Sequence, residues 1–136
     1  MRSSVCLRLI LVLGLAGAML TGCSRDPNVR KQKYFESGQR YYAEGKYREA
    51  IIQFLNATQV DSTFAAAHYQ LAQSYIKLQD WQHAYQEIGR TLELQPDNYK
   101  AHADMANMLA ADYASTANPS DISTAQEHTD LLLQKQ

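Results

Sequence analysis

Two consecutive windows of 34 residues, Lys31 to Phe64 and Ala65 to Asn98, carry the same order of small and aromatic side chains in the same phase. Nothing else in the chain restricts the fold as strongly, because a unit that recurs at this period buries one face against its own copy. In the first window Tyr34, Gly38, Tyr41, Gly45, Tyr47, Ala50, Phe54 and Ala57 fall at spacings of three and four, with one break at Gly45-Lys46. That spacing predicts a helix, a tight turn and a second helix. Each position returns 34 residues later as His68, Ala72, Tyr75, Gln79, Trp81, Ala84, Ile88 and Thr91, and the second window closes on Leu94-Gln95-Pro96-Asp97-Asn98.

Packing explains the choice of side chains. Small residues at Gly38, Ala50, Ala72 and Ala84 let the two helices of one unit approach closely, and the aromatics fill the volume between that hairpin and the next. The pairs Gly38/Ala72, Tyr41/Tyr75, Tyr47/Trp81 and Ala50/Ala84, with Pro96, resemble the signature of the tetratricopeptide repeat (TPR). The resemblance implies an all-α fold, a TPR α-solenoid of antiparallel helix hairpins with about two and a half to three repeats. It assigns TPR 1 to residues 31–64, TPR 2 to 65–98 and an atypical TPR 3 to 99–136. Tyr41, Tyr47, Phe54, Tyr75 and Trp81 are read as core. Two positions depart from the pattern: Ser62 stands where the second copy has Pro96, and Gln79 stands in place of Gly45. Ser62-Thr63 can end a helix through hydroxyls, and Gln79-Asp80 can still turn.

The third copy continues the phase through His102, Ala106 and Leu109, and is then altered. Residues 113–120, with Asn118-Pro119, read as a loop insertion. The second helix is placed near Asp121 or Ser123, with Ser123 and Gln126 as a capping box. Taking Ala125 as the counterpart of Ala84 makes the insertion seven residues long. Leu131, Leu132 and Leu133 carry no visible polar cap, which suggests a fragment of a longer protein or a face closed by another chain or a second copy.

Ahead of the repeats, Arg2 and Arg8 precede Leu9 to Leu20, twelve uncharged and mostly apolar residues. As a helix that run spans only about 18 Å, too short for a bilayer core. A basic segment, a short apolar run and small residues form the layout of a secretory signal peptide over residues 1–22. Leu20-Thr21-Gly22-Cys23 resembles the bacterial lipobox, which implies lipidation at Cys23 and a bacterial lipoprotein with no more than a short tether over residues 23–30. An ordinary signal peptide with an incidental Cys23 is the alternative. Several acyl chains at one cysteine would anchor stably, each methylene contributing roughly 0.8 kcal/mol. Ser24 after the cysteine implies, by the same resemblance, the outer membrane facing the periplasm of the cell envelope. Asp26-Pro27 reads as a helix start. Arg25, Arg30, Lys31 and Lys33 supply either a weak attraction to anionic lipid or a solvated helix face.

Charge and chemistry narrow the function classes. The formal charge is −1, and −3 once Arg2 and Arg8 are removed with the leader, so no nucleic-acid partner is expected. Both cysteines, Cys6 and Cys23, precede the repeats, which leaves no thiol chemistry inside the fold. No glycine-rich phosphate loop, His-Glu-x-x-His or Gly-x-Ser-x-Gly motif is present. We therefore expect no enzyme, cofactor, metal or small-molecule substrate. His68 and His102 occupy one repeat position twice and are read as partly buried packing residues.

In TPR proteins the first helices of successive repeats line a concave groove that holds a protein or peptide partner. By register the groove-facing residues here are Phe35, Gln39 and Tyr42, then Tyr69, Gln73, Ile76 and Lys77, then Asn107. They offer apolar area, amides and one cation, which suit an extended peptide or an amphipathic helix. Phe35 and Tyr69 could alternatively support helix packing. Two functions remain open: a membrane-anchored scaffold for envelope assembly, secretion, pilus or sorting machinery, and the N-terminal adaptor of a longer envelope enzyme whose catalytic domain lies beyond residue 136.

Overall fold

The computed structural model describes residues 26–134, so the leader and Cys23 lie outside it. Among the described residues six helices follow one another: α1 (Pro27–Ala43), α2 (Tyr47–Val60), α3 (Ala65–Lys77), α4 (Trp81–Leu94), α5 (Tyr99–Thr116) and α6 (Pro119–Leu133). They pair as three hairpins, α1 with α2, α3 with α4 and α5 with α6, stacked through the α2–α3 and α4–α5 junctions. This is the all-α TPR solenoid that the 34-residue phase implies.

Local chemistry sets the helix ends. The Asp26 carboxylate accepts the Asn28 N–H at 2.8 Å while Pro27 occupies the first turn, so α1 starts where its N–H donors are satisfied or absent. The first two hairpin turns close in one hydrogen-bond pattern. Gly45 N–H donates to the Tyr42 carbonyl at 3.0 Å and Lys46 N–H to Tyr41 at 2.9 Å; Gln79 donates to Ile76 and Asp80 to Tyr75, each at 3.0 Å. These pairs make a Schellman cap, which needs a left-handed residue at its centre. Gly45 takes φ +74° without steric penalty, and Gln79 takes φ +60° although it carries a side chain.

The α2–α3 connection differs from the expected serine and threonine stop. Asp61 builds it: its Oδ1 accepts the Thr63 N–H at 2.9 Å and the Thr63 hydroxyl at 2.7 Å. Its other oxygen pairs with Lys31 of α1 at 2.5 Å, and Lys31 Nζ also lies 5.1 Å from the Phe64 ring centroid. Lys31 is thereby engaged within the fold rather than presented as part of a basic face.

Two apolar clusters hold the stack together. Ala50, Ile51, Phe54 and Leu71 are buried at the first junction, with Phe35, Tyr41, Tyr42 and Tyr75 packed on them. Ala72, Ile88, Ala101, Met105, Leu109 and Ala125 are buried at the second, flanked by Tyr69, Ile76, Leu92 and Met108. Phe54 is core as expected, fully buried, and its ring lies 5.7 Å from that of Phe35. Trp81 corrects the core assignment: it is 54% exposed. The cause lies one turn away. Tyr42 meets Tyr47 edge-on at 5.3 Å in the first hairpin, whereas the same register position in the second is the smaller Ile76.

The third hairpin also departs from the sequence reading. No long loop covers 113–120; α5 continues to Thr116, and only Ala117 and Asn118 connect it to α6. The extra residues lengthen the helix, and the Ser115 and Thr116 hydroxyls turn back onto the Asp112 carbonyl at 2.8 and 3.0 Å, so their donors are satisfied inside its last turn. Ala117 reverses the chain at φ +54°. The helix start is Asn118, whose side chain accepts the Ser120 N–H at 3.3 Å, and not a capping box at Ser123, whose hydroxyl donates back to the Ser120 carbonyl. Ala125 is buried in the second cluster, the environment its register with Ala84 requires.

Candidate binding groove

The first helices of the second and third hairpins are joined by one acidic residue. Asp104 on α5 accepts the Tyr69 hydroxyl at 2.9 Å and the Gln73 side-chain amide at 2.7 Å, both on its Oδ2. Tyr69 and Gln73, four residues apart on α3, share a helix face, so a single carboxylate reaches both. Burial raises the Tyr69 pKa, and the bond to Asp104 raises it further, which keeps the phenol protonated as the donor. Tyr42 is also raised, first by burial and then by the fields of Tyr47 and Asp104. Register points to Tyr69 and Gln73 but not to Asp104. Its place three residues before Asn107, on the adjoining turn, is the signal that could have found it.

A cleft of about 550 Å³ opens beside this bridge, lined by Ile76, Trp81, Asp104, Asn107, Met108, Ala111, Asp112 and Ser115. A second hollow of about 350 Å³ adjoins it through Trp81, Met108 and Asp112, and adds Gln82, Tyr85, Leu109 and Asp121. Of the eight residues assigned to the groove by register, Ile76 and Asn107 line the cleft directly, and Tyr69 and Gln73 bind its Asp104. Tyr42 is half-buried against the first cluster. Gln39 and Lys77 are exposed and line neither hollow. Phe35 is drawn into packing instead, 5.7 Å from Phe54 and 5.0 Å from Phe64 between ring centroids.

The two histidines of the repeat position are hydrogen-bonding hooks rather than simple packing groups. His68 Nε2 faces the Ser62 carbonyl at 3.2 Å, and His102 Nε2 faces the Pro96 carbonyl at 2.9 Å, each six residues upstream at the preceding junction. Their Nδ1 atoms reach the second helix of their own hairpin: His68 meets Glu87 at 2.6 Å and His102 meets His128 at 2.7 Å. Glu87 and His128 are counterparts once the seven extra residues are counted. A carbonyl only accepts, so Nε2 of His102 donates and its Nδ1 lone pair receives the proton of His128 Nδ1. Burial, and then the field of His102, lower the His128 pKa from its ordinary 6.5. Among the described residues no group of three or more His, Cys, Asp or Glu side chains could hold a metal ion.

Known proteins share the repeat and its geometry. Residues 38–79 match the family described as TPR repeat and residues 65–98 the family described as tetratricopeptide repeat. Sperm-associated antigen 1 of Homo sapiens is 34% identical over 84 residues, which cover 62% of this chain and 9% of that protein. The chain thus spans under a tenth of that relative's length. Among solved structures, the second TPR of Spaghetti (RPAP3) bound to the HSP90 peptide SRMEEVD superposes with a TM-score of 0.66 at 19% identity, over 77% of this chain and 91% of that one. MamA 41-end from Desulfovibrio magneticus RS-1 gives 0.64 at 19% identity, over 90% and 71%. A CopN–Scc3 complex gives 0.63 at 17% identity, over 72% and 55%.

Proposed function

We infer that this chain, whose residues 38–98 are tetratricopeptide repeats, is a non-enzymatic scaffold of the bacterial cell envelope that docks a protein or peptide along the first helices of its hairpins. The observation that carries the reading is the open cleft between α3 and α5. It is walled by apolar side chains, edged by the polar side chains of Asp104, Asn107 and Asp112, and flanked by a large exposed aromatic. Such a surface offers contact area and orienting hydrogen bonds to a segment of chain. A peptide-bound TPR among the similar structures supports the same use of the fold.

The anchor belongs to the same proposal. Leu20-Thr21-Gly22-Cys23 supports acylation at Cys23, and α1 begins at Pro27, so the lipidated residue would hold the solenoid near the headgroups. Among the described residues no helix is long and apolar enough to cross a membrane. Ser24 supports the outer membrane, facing the periplasm, where assembly, secretion, pilus and sorting machineries require such platforms.

Two experiments test the parts separately. Metabolic labelling with an alkyne fatty acid should mark the wild-type protein and not Cys23→Ala, with globomycin causing the precursor to accumulate. Unlabelled wild-type protein that fractionates as a free periplasmic species would overturn the anchor. For docking, alanine at Ile76, Trp81 and Asn107 together, three residues that line the cleft, should abolish co-purification of envelope partners while helical content is retained; unchanged co-purification would overturn the groove.

A further inference from the structure

Building on the groove reading, we propose that the Trp81 cleft takes a cationic segment, a partner peptide carrying two arginine or lysine side chains. Two carboxylates, Asp104 and Asp112, line the cleft, and a third, Asp121, lines the adjoining hollow while also accepting from Thr116, Asn118 and Ser120 at 3.2 to 3.4 Å; neither hollow is lined by a lysine, arginine or histidine. Among the described residues no basic side chain forms an ion pair with any of the three. Asp104 spends one oxygen, Oδ2, on Tyr69 and Gln73, which leaves Oδ1 without a hydrogen-bond partner among the described residues. The bridge also fixes the rotamer, so the second oxygen is presented without further ordering.

Trp81 makes the site more than a run of acids. Its indole is 54% exposed and belongs to both hollows, so it stands as a ridge with carboxylates on either side. An aromatic face beside carboxylates suits a guanidinium or ammonium, which gains from the ring quadrupole and from a charge-assisted hydrogen bond together. The exposed face exists because Ile76 replaces the aromatic that covers the equivalent Tyr47, and because the next register position along the row is Ser115. Met108 and Ile76 supply an apolar floor for the methylenes of the basic side chain.

Spacing narrows the ligand. Asp104 and Asp112 are eight residues apart on α5, about 12 Å along the axis at ~1.5 Å per residue. An extended peptide covers that in about four residues at ~3.3 Å each. Two basic residues four positions apart, with apolar residues between them, match the cleft in charge, reach and floor.

The chain's single tryptophan is Trp81, so the site carries its own reporter. The full-length protein, purified from its own cells in mild detergent, is titrated with a blocked decapeptide bearing two arginines four positions apart around leucines. Glutamate and glutamine twins of the peptide serve as comparisons. The arginine peptide is expected to shift Trp81 emission and bind at least tenfold more tightly than either twin, with affinity falling as salt is raised. Asp112→Asn, at an exposed position, should weaken binding about fivefold or more while leaving the circular dichroism unchanged. Equal binding of the glutamine twin, or wild-type affinity in Asp112→Asn, overturns the cationic ligand and leaves the groove reading in place. No response to any peptide overturns the proposal, with docking itself judged by crosslinking. A dimer that Asp112→Asn dissociates also overturns it, in favour of a second copy as occupant.

Discussion

Gly38 and Phe54 occupy one space: a Cβ on Gly38 would lie 2.5 Å from Cε1 and 2.6 Å from Cδ1 of the Phe54 ring. Gly38 is buried in the middle of α1, and Phe54 is fully buried in α2, so the first hairpin closes only because one helix presents bare backbone to the other's ring. Alanine is the better helix former, so its effect at this position isolates the contact. Gly38→Ala should destabilise by about 1–3 kcal/mol despite that propensity, because the ring must leave its rotamer or the helices must separate. Gly38→Ala with Phe54→Leu should recover part of the loss. Urea denaturation of the four proteins of the cycle provides the measurement, and additive losses would contradict the contact.

Gln79 and Ala117 hold left-handed backbone with a Cβ present, at φ +60° and +54°. Glycine relieves that strain at some entropic cost in the unfolded chain, so Gln79→Gly and Ala117→Gly should each stabilise by about 0.5–1 kcal/mol. Thermal melts should show both midpoints rising. Gly45→Ala, at φ +74°, should lower its midpoint by a comparable amount.

These turns also show how far the residues alone carry the fold. The 34-residue phase reaches the helices, Gly38, Phe54 and, among the cluster alanines, Ala50, Ala72 and Ala125, because close packing at each junction tolerates only certain sizes at certain positions. It misses Trp81, because exposure there depends on what Ile76 fails to cover rather than on Trp81 itself. It misses the length of α5, since Ser115 and Thr116 read as loop residues until their hydroxyls are seen to donate to the Asp112 carbonyl. Asp104 is missed for another reason. Repeat reading compares like positions, and the bridge joins Tyr69 and Gln73 to a residue 35 and 31 positions onward, a contact between neighbouring helices rather than a matching position.

His128 makes the third hairpin acid-sensitive. Its folded pKa lies below the ordinary 6.5, so as pH falls through 6.5 toward that value the unfolded chain takes up the proton more readily than the folded one. Stability should therefore be full above about pH 7 and decline as the solution is acidified through the 6.5 region. His128→Glu removes the group whose pKa is lowered, so the decline should flatten. Melting temperatures from pH 8 to 5 check the sign.

Asp61 acts in a lower window. The hydrogen bond from Lys31, and then those from Thr63, bring its carboxyl down from 3.8 to about 2. A lowered carboxyl stabilises the fold above its unfolded value, and that contribution is lost as pH falls from about 4 toward 2. Asp61→Asn should be less stable than wild type at pH 7 and approach it at pH 2. Parallel stability curves across that range would contradict the assignment.

The most direct measurement of the central proposal, docking on the concave side, is site-specific photocrosslinking in the native envelope. A benzophenone amino acid replaces Asn107, which is exposed at the cleft, and separately Ile52, which is exposed on α2. Position 107 should give a discrete adduct with another protein and position 52 none. Adducts from 52 alone, or equal yields from both, would contradict docking on the concave side.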